Sequence, residues 1–333
     1  MVTAAIDIHK QVLQAVVLDG ESGELAEERL AGREALADWA MRWRGRVEAV
    51  AIEATTGWRW VARELQAHGL EVRLADPGQA KALQGRKKRA KADRLDARWL
   101  ALLLGKQMLP QAWLPPAEIQ YLRDQTRLRK ALVDDRTRWA QRLHALLQQE
   151  GWPCRRARLL TVAGRRWAQA LALPDPARAQ VELYLRLLET LEAEIRPLEH
   201  ELCRFAKQDR RCQALQRIFG VGPILACHLL AEIGEAGRFR RSRQLVRLSG
   251  LDPVVEESAD VRRRGKLAKQ GPPTLRWALV QAAQHAPRPS SPDRHLYTSV
   301  ASRCGSQRAK LTVARKIARR AYHLLSTLEA EAA

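Results

Sequence analysis

Residues 2–8 read V-T-A-A-I-D-I and residues 12–18 read V-L-Q-A-V-V-L, two apolar runs of strand length joined by a short polar turn. That pattern is a β-hairpin. Outward from it, a Glu-, Ala-, Leu- and Arg-rich stretch at about 32–44 has helical texture, and residues 47–53 (VEAVAIE) read as a third buried strand. Residues 58–68 follow as a helix, and 70–75 (LEVRLA) as a fourth strand ending at Asp76-Pro77-Gly78. Strands that first pair and then alternate with helices specify an α/β domain.

From about residue 117 the texture becomes helical. Leu128, Leu132, Trp139, Leu143 and Leu146 mark one stripe. Tyr184, Leu188, Leu191, Ile195, Leu198 and Leu202 mark a second, spaced 4-3-4-3-4 like the a/d seam of a coiled coil. Pro197 is expected to kink or interrupt that helix. The stripes fit an intramolecular helical hairpin or a self-association surface. Further on, Gly220-Val221-Gly222-Pro223 lies between two apolar helical runs, a turn like that of a helix-hairpin-helix, whose backbone N–H groups can hold a phosphate. A plain structural turn is the alternative. Residues 251–269 read as a basic, loop-like stretch, followed by a helix near 273–285, a Pro-rich break at 287–292 and a basic helix near 310–325.

Fifty-eight Lys and Arg stand against 37 Asp and Glu, a net charge of +21. A pI near 10.7 makes a field that attracts polyanions, of which nucleic acid is the commonest. Arginine dominates the cations, and its planar fork suits bidentate phosphate contacts and stacking on bases. A GC-rich coding sequence would explain arginine over lysine, but not the excess of charge. No apolar stretch approaches the about 20 residues of a bilayer helix, so no membrane association is expected. The start carries a charge inside its apolar run and no cleavage-site pattern, which argues against secretion. Five cysteines (Cys154, Cys203, Cys212, Cys227, Cys304) form no C-x-x-C pair, so a reducing cytoplasm fits better than a disulfide framework or zinc ribbon. Ten tryptophans, among them Trp58, Trp99, Trp113, Trp139 and Trp277, offer stacking surfaces or core packing.

Four carboxylates stand out by position. Asp7 lies at the end of the first strand and Glu53 at the end of the 47–53 strand. Asp93 and Asp96 are three apart in K-A-D-R-L-D-A and share a face if that stretch is helical. Strand-end carboxylates facing helix carboxylates can hold two Mg²⁺ ions, which activate an oxygen nucleophile and stabilise the leaving oxygen of a phosphodiester. Any one of these acids alone reads equally well as a cap or surface charge. The basic run Arg86, Lys87, Lys88, Arg89 and Lys91 adjoins the last pair. An actin-like or sugar-kinase ATPase is disfavoured, because Ile8-His9-Lys10 follows Asp7 where such enzymes need glycine. His9 is a candidate metal neighbour or an ordinary strand-end histidine.

I-D-I-H-K near the start, I-E-A-T-x-G at 52–57 and K-A-D-R-L-D-A together resemble the DEDD insertion-sequence transposases of the IS110 family, relatives of the Piv and MooV invertases. The C-terminal half agrees with G-V-G-P-I-L-A, A-E-I-G, S-R-Q-L, S-G-L-D-P and G-P-P-T-L-R-W-A-L-V-Q-A-A in order. The resemblance covers nearly the whole chain. It implies an α/β plus all-α protein: an RNase H-like (RuvC-type) catalytic domain over 1–115, a helical coiled-coil assembly segment over 116–210, and a mainly helical C-terminal transposase domain over 211–333. Asp7, Glu53, Asp93 and Asp96 would be its Mg²⁺-binding tetrad. The C-terminal domain would supply a serine that attacks DNA and becomes phosphoserine-linked. A bridge RNA would pair with target and donor double-stranded DNA, with the protein acting as a tetramer, a dimer of dimers, in the bacterial cytoplasm.

Ser258 matches the family's first serine, although the glycine that follows it is here Ala259, and the second serine of the pattern is replaced by Ala268. Arg262, Arg263, Arg264, Lys266 and Lys269 would hold phosphate oxygens, as would the Gly220 and Gly222 turn. Two other readings remain. One is a metal-dependent, junction-resolvase-like endonuclease in which water attacks and no covalent adduct forms. The other is a non-catalytic nucleic-acid-binding derivative of a transposase.

Overall fold

The computed structural model describes residues 2–84, 93–258 and 261–332, with only the backbone described at 93–94, 255–258 and 261–266. The chain forms two compact units, Met1–Leu114 and Pro115–Ala333. The first is a mixed α/β layer structure. In chain order it contains β1 (Val2–Ile8), β2 (Leu13–Asp19), β3 (Leu25–Leu30), α1 (Gly32–Trp43), β4 (Val50–Glu53), α2 (Trp58–Ala67), β5 (Val72–Ala75), α3 (Pro77–Leu83) and α4 (Asp93–Gly105). The sheet order is β3-β2-β1-β4-β5, antiparallel over β3-β2-β1 and parallel over β1-β4-β5.

Strand alternation divides the sheet's side chains between two cores. Ala4, Ile6, Val50 and Ile52 meet Leu36 and Trp39 of α1 and Val61 and Leu65 of α2 on one face. Ala5, Val16, Ala51 and Ala75 meet Ala80 of α3 and Ala97, Leu100, Ala101 and Leu104 of α4 on the other. The alanines on that second face let α4 close down on the strands, and the Thr3 hydroxyl donates to the Ala101 carbonyl at 3.2 Å. The hairpin and the two later strands stand where the sequence places them. One strand escapes that reading: β3, L-A-E-E-R-L, is almost wholly exposed and charged. It lies at the sheet edge, where charged side chains discourage pairing with another chain.

The second unit is mainly helical. It contains α5 (Ala117–Gln149), α6 (Val162–Gln169), α7 (Asp175–Gln208), α8 (Arg210–Leu215), α9 (Pro223–Ile233), α10 (Ser242–Leu248), β6 (Pro253–Ser258), β7 (Val261–Leu267), α11 (Pro273–Ala283), α12 (Arg294–Cys304) and α13 (Ser306–Ala332). Helices α5 and α7 pack antiparallel as a long intramolecular hairpin. The Tyr121 hydroxyl donates to Glu201 at 2.6 Å, Arg129 bonds Glu199, and the Trp139 and Tyr184 rings lie 5.5 Å apart.

The α5 stripe expected from sequence holds at its far end, where Leu143 is buried and Trp139 and Leu146 pack against the same core, and is displaced nearer its start. Ile119, Leu122, Thr126, Ala140, Leu143 and Leu147 are the buried positions, whereas Leu128 is 50% exposed. These positions fit one 3-4 seam, and its middle is occupied by Thr126, Arg129 and Arg136. Polar residues on the seam hide it from apolar periodicity. On α7 the expected stripe lies on the packed side, with Leu188, Ile195 and Leu202 buried. The helix also runs through Pro197 without interruption. Pro197 and Ala193, whose carbonyl loses its helical partner, both lie on the exposed face, where that carbonyl is open to solvent.

Helix α9 is buried from Ala226 to Ile233, as a helix at the centre of a bundle must be. Arg123 donates to the Ala231 carbonyl at 2.6 Å and Arg238 to the Ile233 carbonyl at 3.0 Å, so two guanidinium groups cap its carboxyl end. Glu232, 1% exposed on its side chain, accepts from Arg127 at 2.9 and 3.0 Å and from the Thr274 hydroxyl at 2.5 Å. The stretch 251–269, expected as a loop, contains the β6–β7 hairpin. At its base Gly271 has φ +76°, and a Cβ there would lie 1.9 Å from the Leu248 carbonyl oxygen. That close approach explains the glycine of the G-P-P-T motif. No helix among the described residues is long and apolar enough to cross a membrane.

Candidate active site

Asp7 and Glu53 have the strand parity of Ala5 and Ala51, so they belong to the face covered by α4. Ile6 pairs with Ile52 across the parallel β1–β4 ladder, and Asp7 and Glu53 each come one residue later. Neighbouring strands lie about 4.8 Å apart, so the two acids stand side by side at the carboxyl ends of the central strands. Helix α4 runs back along β1, with Ala101 over Thr3 and its first turn, which holds Asp96, toward the far end of the strand. The sequence builds this corner by placing an acid where each apolar run stops.

The charges register one another. Burial raises the Glu53 carboxyl above its ordinary value, and the charges of Asp7 and Asp96 push it further in the same direction. Lys81 on α3 opposes them. This lysine is a member of the site that the sequence reading missed, and only its position one helix after β5 hints at it. His9 Nε2 lies 2.9 Å from Asp7 Oδ2, which makes His9 a direct neighbour of the cluster. The Asp93 side chain is outside the described residues; its backbone opens α4. Among the described residues no three His, Cys, Asp or Glu side chains stand in metal-holding geometry. The donor set nevertheless fits a hard divalent cation: all oxygen, with mutual repulsion that a cation would relieve.

Residues 4–151 match the family profile of the DEDD transposases of the IS110 type, and residues 212–298 match the profile described as "Transposase IS116/IS110/IS902 family". The chain is 32% identical over 240 residues to a probable family 20 transposase of Pseudomonas aeruginosa, covering 71% of this chain and 70% of that one. It belongs to the IS116/IS110/IS902 family of transposases. It is also 28% identical over 340 residues to the transposase for insertion sequence element IS1111A of Coxiella burnetii, covering 97% of this chain and 89% of that protein. A putative transposase, y4rJ, of Sinorhizobium fredii is 32% identical over 246 residues; the match spans 67% of this chain and 62% of the relative.

In this transposase the other expected site residues lie apart from the carboxylates in the chain. Ser258 ends β6 and pairs with Val261, while Glu257 pairs with Arg262, Glu256 with Arg263 and Val255 with Arg264. Ala259, Arg86, Lys87, Lys88, Arg89 and Lys91 lie outside the described residues, as do the side chains of Ser258, Arg262, Arg263, Arg264 and Lys266. Lys269 is exposed and takes a left-handed backbone, φ 52°. Gly220 and Gly222 divide the expected turn between them. A Cβ on Gly220, φ +87°, would lie 2.5 Å from the Ala282 carbonyl oxygen, so this glycine serves packing onto α11. A Cβ on Gly222 would meet nothing within 4 Å. The charge is unevenly spread as well: residues 209–333 carry 23 Lys and Arg against 10 Asp and Glu, +13 of the total +21.

Proposed function

We propose that this protein is a bridge-RNA-guided DNA recombinase of an insertion sequence, whose N-terminal unit is an RNase H-like catalytic domain. The observation that carries the reading is the convergence of Asp7, Glu53 and Asp96 at the carboxyl ends of β1 and β4, in a chain of this transposase family. With Asp93 they would hold two Mg²⁺ ions, which supply charge neutralisation at a scissile phosphate. Asp7, on β1, and Glu53, on β4, fix two donors by the rigidity of a paired sheet. Asp96 adds a third from α4. Lys81 offsets part of the repulsion that Glu53 meets.

The nucleophile in this reading is Ser258 Oγ. Its attack forms an Oγ–P bond and breaks the P–O3′ bond, leaving protein on the DNA 5′ end and a free 3′-hydroxyl that takes up a proton. Rejoining reverses the step with another strand's 3′-hydroxyl, which restores the serine. Arg262, Arg263, Arg264 and Lys266 would steady the phosphate oxygens. The guide RNA would pair with target and donor duplexes, placing sequence choice outside the protein, and a dimer of dimers would bring the duplexes together.

A junction-resolvase-like endonuclease, in which water attacks, is the second reading. Ala259 and Ala268, where the family pattern has glycine and serine, favour it. Incubating the protein with its flanking DNA and RNA and then denaturing it separates the two. Recombination with a 5′-linked protein adduct that Ser258→Ala abolishes supports the first. Cleavage without adduct, lost in Asp7→Ala but kept in Ser258→Ala, supports the second. If every carboxylate variant and Ser258→Ala keep full activity, neither centre is catalytic.

A further inference from the structure

The second unit contains an open cleft of about 1070 Å³ between α8 with the turn that follows it and the last turns of α13. Arg210 and Arg217 stand on one wall, Arg320 and His323 on the other, and Ile218 and Val221 contribute apolar lining. We propose that this cleft binds the phosphodiester backbone of a nucleic acid, an assignment that rests on the proposed function and gives it a second point of contact.

The charge on the walls is available. Arg210 and Arg217 are exposed, and no carboxylate among the described residues pairs with either. Their neighbour Arg211 shows what satisfaction looks like here: it is tied to Asp209 at 2.6 Å and to Glu118 at 2.8 Å. Arg320 is held by Asp293 at 2.5 and 2.9 Å, which fixes its direction. Lys316 shares that carboxylate at 2.9 Å, so two cations face one anion and the wall stays positive. The acid lining the cleft is Glu331, which is exposed near the end of α13.

The shape selects the ligand. At this volume the cleft is at the upper limit of ordinary small-molecule pockets, about 1,000 Å³. Arg210 opens α8 and Arg217 lies in the turn that follows it, so the two guanidinium groups line one wall at separate points. Phosphates of a backbone laid along the cleft would meet the guanidinium groups of Arg210, Arg217 and Arg320, while the apolar lining accommodates sugar edges. The N–H groups of the Gly220–Gly222 turn are not required.

The test uses the full-length protein with two probes, a 30-base-pair DNA duplex and a structured RNA hairpin of comparable length, each titrated across a salt series. Arg210→Glu combined with Arg217→Glu is compared with Arg196→Glu combined with Arg204→Glu, an equal charge change on exposed positions of α7. Arg210→Gln with Arg217→Gln repeats the cleft test without charge reversal, and melting curves check folding. The cleft pair is expected to weaken one probe on the order of tenfold and to lower the salt slope by about 2, roughly one per lost phosphate contact. The probe affected identifies the source of the backbone. Equal losses from the α7 pair, or no loss from either cleft pair, overturn the assignment and leave the proposed function standing. If the unaltered protein binds neither probe, the proposed function falls with it.

Discussion

In the proposed catalytic centre, Glu53 would concentrate the conflict between stability and function in one carboxyl group. Burial and the charges of Asp7 and Asp96 raise its folded-state pKa, so the folded protein binds a proton there more tightly than the unfolded chain does. Without bound cation, this group therefore adds stability as pH falls through its raised pKa and withdraws it as pH rises. Glu53→Gln should raise the melting temperature of the cation-free protein at neutral pH while abolishing strand cleavage. A lower melting temperature would mean that burial and repulsion do not make the charged Glu53 carboxylate a net cost to the fold. His228 makes the opposite case. It is fully buried on α9 against Trp277, neither ring nitrogen has a hydrogen-bond partner among the described residues, and burial holds its pKa down at about 4. The unfolded histidine titrates near 6.5, so keeping it neutral adds no proton-linked cost above that pH, and stability is lost progressively from about pH 6.5 down to 4. His228→Phe should flatten that acid limb in urea melts recorded from pH 7 to 4. An unchanged limb would assign the acid sensitivity elsewhere.

At the scale of elements, the sequence was most legible where one physical force acted alone. The β1–β2 hairpin and β4 announce themselves because an apolar run on a buried strand has one place to go. The acids at the ends of β1 and β4 are legible for the same reason. The α5 seam is obscured because Thr126, Arg129 and Arg136 occupy it, the first bonding back to the Leu122 carbonyl and the second to Glu199. The β3 strand is obscured because an edge strand needs charge. Lys81 could not be assigned to the site from spacing, since α3 approaches Glu53 only after β5 has paired with β4. The turn at 220–222 leaves phosphate binding and a plain structural role both open in sequence; Gly220 takes the structural role, and substitutions separate the two glycines. Gly220→Ala combines a left-handed backbone with a clash on the Ala282 carbonyl, and should cost at least about 2 kcal/mol. Gly222→Ala, at φ −88° with open space around it, should leave the chemical-denaturation midpoint nearly unchanged. Equal costs at the two positions would contradict this division.

At the scale of the whole molecule, each unit has its own core, and each therefore provides its own report of folding. In the second unit, Glu232 joins α9 to Arg127 on α5 and Thr274 on α11. Glu232→Ala strands Arg127, which is 41% exposed and can turn to water, so the loss should fall near the low end for a broken buried pair, about 3 kcal/mol. In the first unit, a divalent cation bound only by the folded carboxylates would stabilise by about 1.4 kcal/mol at tenfold its dissociation constant. Scanning calorimetry should then separate the two effects: Glu232→Ala lowers the second unit's transition alone, and Mg²⁺ raises the first unit's alone. The Mg²⁺ shift should vanish in Asp7→Asn and in Glu53→Gln, although the latter starts from a higher melting temperature. A Mg²⁺ shift that survives both substitutions would place the cation away from β1 and β4 and remove the support on which the catalytic reading of these acids rests. One cooperative transition shifted by every change would show instead that the two cores unfold together.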